Sequence, residues 1–326
     1  MSKKMIGVEI GSDSVKLAVC VNNEVTSMAM ETLPENLVRD GKVTSPNAMS
    51  NLIKSMCKKN GIRPGPCAFV IPPQLVISHR VTTPIMGDKE LMLNLPFEFR
   101  DFVGKEGEKY DYDYSVISVN GNSMDIYASA VMKEAIDVYY GILKKAGLTM
   151  KIAVPSEMAW LNLIRNAKNE PKTLCVLDIG HRSTRVNIFS DNSFVMGKEI
   201  ELAGQLLDDT IANMQKVDPY VARTHKEANL DNVLASDACY DDYNAIAVEV
   251  MKVINYYNYS CPDQGAKLQD IYYCGGTSVI EALRTVILKN TSLTPHNVRR
   301  LVGLNDDDTT LPLYCTLAAG AALQEP

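Results

Sequence analysis

At 326 residues, 46% hydrophobic and 22% charged, the chain has room for two domains and the composition of a globular protein, which excludes wholesale disorder. Its formal net charge of -6, without basic runs, leaves no electrostatic footprint for nucleic acid or an anionic membrane. The N-terminal Met1-Ser2-Lys3-Lys4 leads into an apolar stretch of about six residues, too short for a signal sequence or a membrane span, and no later stretch is long enough for direct insertion.

The first element is a meander. Val8-Glu9-Ile10 runs into Gly11-Ser12-Asp13-Ser14, a second apolar run begins at Val15 and ends at Asn22-Asn23, and a third strand follows over 25–31. Met49, Leu52, Ile53 and Met56 recur at helical spacing and predict a helix that ends before Gly61. A strand over 67–71 is broken by Pro72-Pro73, an extended run resumes over 75–81, and Thr83-Pro84 ends it. Between 84 and 154 the texture changes to a charged helical stretch (88–99), an acidic tyrosine-rich segment (106–114), strands over 114–119 and 124–130, and a helix over 133–146. Nothing later in the chain matches this stretch, so it reads as a small inserted subdomain. A short helix over 155–165 closes the first half, and Asn169-Glu170-Pro171 forms the boundary loop.

Leu177-Asp178-Ile179-Gly180-His181-Arg182-Ser183 then repeats the opening pattern, with Asp178 standing 169 residues after Glu9. A second run starts at Thr184, turns at Asp191-Asn192, and continues as a third strand over 193–201. Two such meanders facing across a cleft would aim two glycine turns and two carboxylates at one bound anion, an arrangement that suits a metal-nucleotide complex. Helices follow over 203–214 and 245–257, the latter with Ile246, Val250, Met251, Ile254 and Tyr257 on one face. A strand over 271–274 enters Gly275-Gly276-Thr277-Ser278, and the helix over 279–288 starts there, so backbone N–H groups and a helix N-terminus meet at the glycines. The run 314–323 is small and apolar, as for a helix packed closely on another.

The chain therefore divides into lobe I (1–170: core 1–83 and 155–170, insertion 84–154) and lobe II (171–326: core 171–205 and 266–326, helical insertion 206–265). Eight cysteines (Cys20, Cys57, Cys67, Cys175, Cys239, Cys261, Cys274, Cys315) lie without close pairs, several inside apolar runs, and are expected as buried free thiols of a reducing cytoplasm. His79, His181, His225 and His296 are as dispersed, so neither a structural metal nor a disulfide is expected.

Placed in this order, the motifs resemble the superfamily of actin, hsp-type chaperones and sugar kinases over nearly the whole chain. Glu9 to Lys16 is similar to its first phosphate loop, Asp178-Ile179-Gly180 with Ser183-Thr184 to its second, and Gly275 to Ser278 to its adenosine loop. Pro155 to Leu163 and Leu317 to Leu323 resemble the two connecting helices that cross at the hinge. Within the superfamily, Leu33-Pro34-Glu35-Asn36-Leu37-Val38-Arg39-Asp40-Gly41-Lys42-Val43, Val81-Thr82-Thr83-Pro84 and Lys144-Lys145-Ala146-Gly147-Leu148 resemble the PilM family of type IV pilus assembly. The resemblance implies an α/β, actin-like (ribonuclease H-like) duplicated fold with an FtsA/PilM-type inserted subdomain, and a cytoplasmic ATP-binding scaffold. Its implied partner is the N-terminal cytoplasmic tail of a PilN-like membrane protein, which would hold the chain at the inner face of the membrane. Self-association is a second interaction it allows.

The resemblance also assigns roles. Glu9 and Asp178 hold Mg²⁺ through bridging waters, as suits an ion that dehydrates reluctantly. Gly11, Ser12, Asp13, Ser14 and Lys16, then Gly180, Ser183, Thr184, Gly204 and Lys226, then Gly275, Gly276, Thr277 and Ser278 contact the nucleotide, and Glu157 is the nearest match to the residue that orients attacking water. Several positions depart from the pattern. Glu9 stands where Asp is usual, and one more methylene moves a carboxylate by about an ångström. His181 and Arg182 occupy a turn that usually carries small residues: they crowd the γ-phosphate, or Arg182 pairs with it, or both point to solvent. Arg223 replaces the acid expected to hold the ribose hydroxyls, which a guanidinium cannot do. These changes point to weak or absent hydrolysis. The rival readings are an FtsA-like cell-division filament protein, a small-molecule kinase of the same superfamily, and a pseudo-enzyme whose cleft binds nothing. Met86, Leu91, Leu93, Phe97 and Phe99 are candidates to line a partner groove, but an apolar set at this spacing is equally a core.

Overall fold

The computed structural model describes residues 4–260, 267–306 and 315–323. Cys261, Tyr314 and the chain end lie outside the described residues. The chain forms two compact units, 1–166 with 317–326, and 167–316.

Unit 1 opens with the expected meander, β1 (Lys4–Ile10), β2 (Ser14–Val21) and β3 (Glu24–Thr32). Asn22 and Asn23 turn β2 into β3 at φ +53° and +63°, the left-handed pair that a two-residue hairpin requires and that asparagine tolerates. A small ladder of β4 (Val38–Arg39) and β5 (Lys42–Val43) leads into α1 (Pro46–Lys59). This helix starts with proline at its first position, ends on Lys58 and Lys59, and buries Met49, Ile53 and Met56. β6 (Gly65–Ile71) then runs parallel to β1 and is buried almost throughout, as a strand covered on both faces must be.

The chain next leaves this sheet. β7 (Val76–Pro84), α2 (Asp88–Glu98), α3 (Arg100–Val103), β8 (Tyr110–Asn120) and β9 (Ser123–Met132) form a separate antiparallel sheet in the order β7-β9-β8, with Leu91, Leu95 and Phe99 packed against Val81 and Ile126. The next helix, α4 (Lys133–Lys145), and β10 (Leu148–Pro155) belong to the core again. Tyr139, Ile142 and Leu143 of α4 pack with Met49 and Ile53, and β10 pairs parallel with β6. The insertion therefore spans 76–132 rather than 84–154: Val76 to Pro84 pairs with β9, and the helix after it packs on the core. α5 (Ser156–Asn166) ends this part, carrying Trp160 at 2% exposure.

Unit 2 repeats the plan. β11 (Leu174–Ile179), β12 (Thr184–Ser190) and β13 (Ser193–Ile200) form the second meander, followed by α6 (Gly204–Gln215), α7 (Pro219–Ala228) and α8 (Asp237–Ser260), then β14 (Asp270–Cys274), α9 (Glu281–Thr291) and β15 (Thr294–Asn297). The sheet orders are β3-β2-β1-β6-β10 and β13-β12-β11-β14-β15, so strand for strand the two topologies coincide. The register coincides too: Glu9 lies opposite Lys16 and Asp178 opposite Arg185. α8 is longer than its apolar stripe predicted, and buries Tyr243, Ile246, Val250, Ile254 and Tyr257 in one core with β11, β12 and α9. Each such large apolar side chain contributes roughly 1.5–3 kcal/mol on burial.

The final helix, α10 (Thr316–Ala322), contributes its residues from Leu317 onward to unit 1, not to the second half as the lobe boundary had it. Its close packing explains the small residues: a Cβ on Gly7 would stand 1.7 Å from the Ala318 carbonyl oxygen, and one on Gly320 would stand 2.1 Å from that of Ala159. The seven described cysteines are free and buried. Burial pushes the thiols of Cys20, Cys67 and Cys175 up to about 12. Among the described residues no helix is long and apolar enough to cross a membrane.

Candidate nucleotide site

Each unit presents a glycine turn at the end of its first strand. In unit 1 the Gly11 N–H donates to the Ser14 carbonyl at 2.9 Å; in unit 2 the Gly180 N–H donates to that of Ser183 at 3.0 Å. A Cβ at these glycines would stand 3.2 Å and 2.9 Å from the same carbonyl oxygens, so a side chain would crowd the first turn and force a shift in the second.

In unit 1, Ser12 is exposed at the tip, and Asp13 and Ser14 are half-buried. Lys16 lies across the strand pair from Glu9, its Nζ 2.7 Å from Oε1, with the two side chains 15% and 12% exposed. The lysine expected at the phosphates thus sits on the acid expected at the metal. Glu157, in the first turn of α5, is buried. Its Oε1 accepts from the Tyr127 hydroxyl at 2.8 Å and its Oε2 from Ser156 Oγ at 3.0 Å. Burial, and then the Glu157 charge, push the Tyr127 hydroxyl well above the usual tyrosine range.

In unit 2 two further segments converge on the turn. The Gly180 carbonyl accepts from the Gly204 N–H at 3.2 Å and from Thr277 Oγ1 at 2.7 Å, and the His181 carbonyl accepts from the Gln205 N–H at 2.7 Å. Gly204 makes this possible, because a Cβ there would stand 2.4 Å from Thr277 Oγ1. Gly275 has φ +91°, and a Cβ on it would stand 2.5 Å from Asp178 Oδ1. Gly276 is exposed with nothing within 4 Å of its Cβ position. Ser278 is buried and donates to the Gly275 carbonyl at 2.7 Å.

The side chains below the turn form a charged cluster. Lys226 Nζ lies 2.6 Å from Asp208 Oδ1 and donates to the Gly204 carbonyl at 2.9 Å, and His181 Nε2 lies 3.0 Å from Asp208 Oδ2. Of the three arrangements open for His181 and Arg182, the structure splits the pair: Arg182 is exposed, and the His181 ring is turned onto Asp208. Ser183 Oγ donates to Glu199 at 2.6 Å, and Thr184 Oγ1, fully buried, donates to the Leu202 carbonyl at 2.7 Å. Burial of the Glu199 carboxyl opposes ionisation, but the Arg185 charge and the bonds from Ser183 and Arg185 hold it below the usual glutamate range. Arg223 pairs with Glu227 one helical turn on, at 2.9 Å.

Asp208 and Arg284 escaped the sequence reading. Asp208 lies four residues after Gly204, one turn along the same helix face, a spacing that marks it once α6 is known to start at Gly204. Arg284 donates to the Ser278 carbonyl at 2.9 Å, and its guanidinium carbon stands 5.1 Å from the Tyr273 ring centroid, fastening the glycine loop to α9. No cation among the described residues pairs with Asp178, and no group of three or more His, Cys, Asp or Glu there is placed to hold a metal by itself. That donor set fits Mg²⁺ carried by phosphates, which takes one or two carboxylates and several waters from its host site.

The family model described as type IV pilus assembly protein PilM matches residues 7–303. Among solved structures, one described as a PilM-PilN type IV pilus biogenesis complex matches with a TM-score of 0.81 at 20% identity, over 98% of this chain and 97% of that one. The ethanolamine utilization protein EutJ from Carboxydothermus hydrogenoformans gives 0.62 at 14% identity, over 98% and 89%. A ROK family glucokinase from Streptomyces griseus, in complex with glucose and AMPPNP, gives 0.53 at 10% identity, over 98% of both chains. These likenesses establish the actin-like two-lobe fold. With the family model covering most of its length, the chain belongs to the PilM family of type IV pilus assembly proteins.

Proposed function

We propose that the chain is a cytoplasmic ATP-binding scaffold of a type IV pilus assembly machine or a related one, held at the inner face of the membrane by the N-terminal tail of a PilN-like protein. The observation that carries the nucleotide part is the duplicated register, Glu9 opposite Lys16 and Asp178 opposite Arg185, each one residue before the last pair of a glycine turn. Mg-ATP binds at these turns, Glu9 and Asp178 contacting the ion through water, while Gly275 and Gly276 leave space beside the nucleoside. Family membership supports the pilus role, and the likeness to a PilM-PilN complex supports the partner.

Hydrolysis is weak or absent in this reading. Glu157 already accepts two hydroxyl hydrogen bonds, which leaves it a poorer acceptor for the proton of an attacking water. Isothermal titration of the full chain with Mg-ATP, and separately with a synthetic peptide of the PilN-like tail, tests both halves. Saturable binding of both, with ADP release near background, is the expected result. Failure of the peptide to bind in the presence and absence of nucleotide would remove the partner assignment.

A further inference from the structure

The inserted sheet is a body of its own within unit 1. Val81, Leu91, Leu95, Phe99 and Ile126 form its core, separate from the core that α1 and α4 build on β1 and β6. The chain enters the insertion at Val76 and leaves it after Met132, and these crossings lie side by side, Val76 being paired with Val131 across β7 and β9. Both valines pack against the larger core, so the insertion is rooted in unit 1 at one place. Lys133, where α4 starts, donates to the Glu108 carbonyl at 2.8 Å beside this root, in an exposed bond. Element ends of this kind are where a packed body absorbs a rotation.

A buried tie stands away from the root. Tyr127 lies four residues before Val131 on β9, about 13 Å along the strand at the usual rise. Its hydroxyl donates at 2.8 Å to Oε1 of Glu157, which belongs to α5 and so to the core. The other carboxylate oxygen accepts from Ser156 Oγ at 3.0 Å, a bond made within α5 itself. On the side of the insertion, Ser78 and Ser129 bond to each other at 2.8 Å, and Ser78 also bonds the Tyr127 hydroxyl. A buried carboxylate that loses a donor is costly, which keeps this joint closed.

We propose that the inserted sheet is a hinged body, with the paired strand ends at Val76 and Val131 as its pivot and the hydrogen bond from Tyr127 to Glu157 as its latch. Closed, the polar face of the sheet is held on α5. Open, the insertion swings on its root with its own core intact, and Glu157 keeps Ser156 as a donor. A partner bound to the insertion thereby moves it without unfolding any element. Loss of the latch raises the open population about tenfold, the scale of a hydrogen bond to a charged group.

Trp160, one turn after Glu157 on α5 and the chain's only tryptophan, is a fixed fluorescence donor in the core. An acceptor dye is attached to the full chain through Asn122→Cys, an exposed position in the turn between β8 and β9 at the far end of the inserted sheet. The seven described cysteines are buried, and Cys261→Ser removes the eighth. Time-resolved energy transfer is expected to give one narrow distance in the labelled chain. Tyr127→Phe and Glu157→Ala add a second, displaced distance, while hydrogen exchange in α2 and β8 stays as slow as before. Ser156→Ala removes a donor from the same carboxylate without crossing the joint, and leaves the distance unchanged. A single narrow distance in both Tyr127→Phe and Glu157→Ala overturns the latch. Faster exchange throughout α2 and β8 also overturns it, because the insertion then unfolds rather than swings. A displaced distance in Ser156→Ala removes the particular role of Tyr127.

Discussion

Glu9 and Asp178 occupy the same place in two copies of one sheet, each with a cation across the ladder, yet among the described residues only Glu9 is paired with its own: Lys16 lies 2.7 Å from it, whereas Arg185, opposite Asp178, turns to Glu199 at 3.0 Å. In the proposed function, Asp178 would meet a phosphate-borne Mg²⁺ with no ion pair to break, whereas Glu9 would first have to lose its pair with Lys16.

If the proposed site is right, Asp178 is expected to dominate nucleotide-linked stability. A ligand that binds only the folded chain adds about 2.7 kcal/mol at 100 times its dissociation constant, roughly 5 °C in melting temperature. Calorimetric or fluorimetric melting with Mg-ATP is expected to show such a shift in wild type and none in Asp178→Ala.

The Lys16–Glu9 pair is mostly buried, so removing one partner leaves an uncompensated charge. Lys16→Met is expected to cost about 3 kcal/mol, and the double variant Glu9→Gln/Lys16→Met to recover most of it. Trp160, the chain's only tryptophan, is buried in unit 1, so urea unfolding followed by its fluorescence reads this unit. A double variant as unstable as the single one would mean that the pair contributes nothing specific.

Gly204 and Thr277 are coupled by contact. A Cβ at 204 would press on Thr277 Oγ1, so Gly204→Ala is expected to destabilise unit 2 by about 2 kcal/mol. Thr277→Ala alone loses its bond to the Gly180 carbonyl, worth about 1 kcal/mol. In a double-mutant cycle the combination should cost less than the sum, because the second change removes the atom that the first one strikes.

The inserted sheet has its own acid sensitivity. Asp125 accepts from Thr82 at 2.5 Å and from Arg80 at 2.6 Å, and these bonds, the one from Thr82 foremost, hold its carboxyl below the usual aspartate range. A carboxyl depressed in the folded state stabilises the fold above its unfolded value, about 3.9, and that stabilisation is lost as pH falls through the lower folded value. Circular dichroism of acid unfolding should show this loss in wild type, and Asp125→Asn should be less stable near neutrality with a shallower slope in acid.

Much of this protein was legible from local pattern. A strand, a glycine turn and a strand are specified by neighbouring residues, so the repeat at Val8 and Leu177 located both turns, and the alternation after them located both meanders. α1 was legible for the same reason, its apolar positions recurring at the helical period between Pro46 and Gly61. The limits of the inserted subdomain were not, because Val76 to Pro84 and Leu148 to Pro155 are both extended segments, and which sheet each joins depends on partners far along the chain. The last helix belongs with unit 1 because its small residues let it lie on Gly7 and Ala159, contacts across some three hundred and some one hundred and sixty positions. The site divides in the same way: the sequence by itself determined where the glycines and acids stand along the chain. Only the tertiary structure decided that Asp208 joins His181 to Lys226, and that Gly204, Gly180 and Thr277 meet, since helix and loop must first pack before side chains from three segments come within hydrogen-bonding distance.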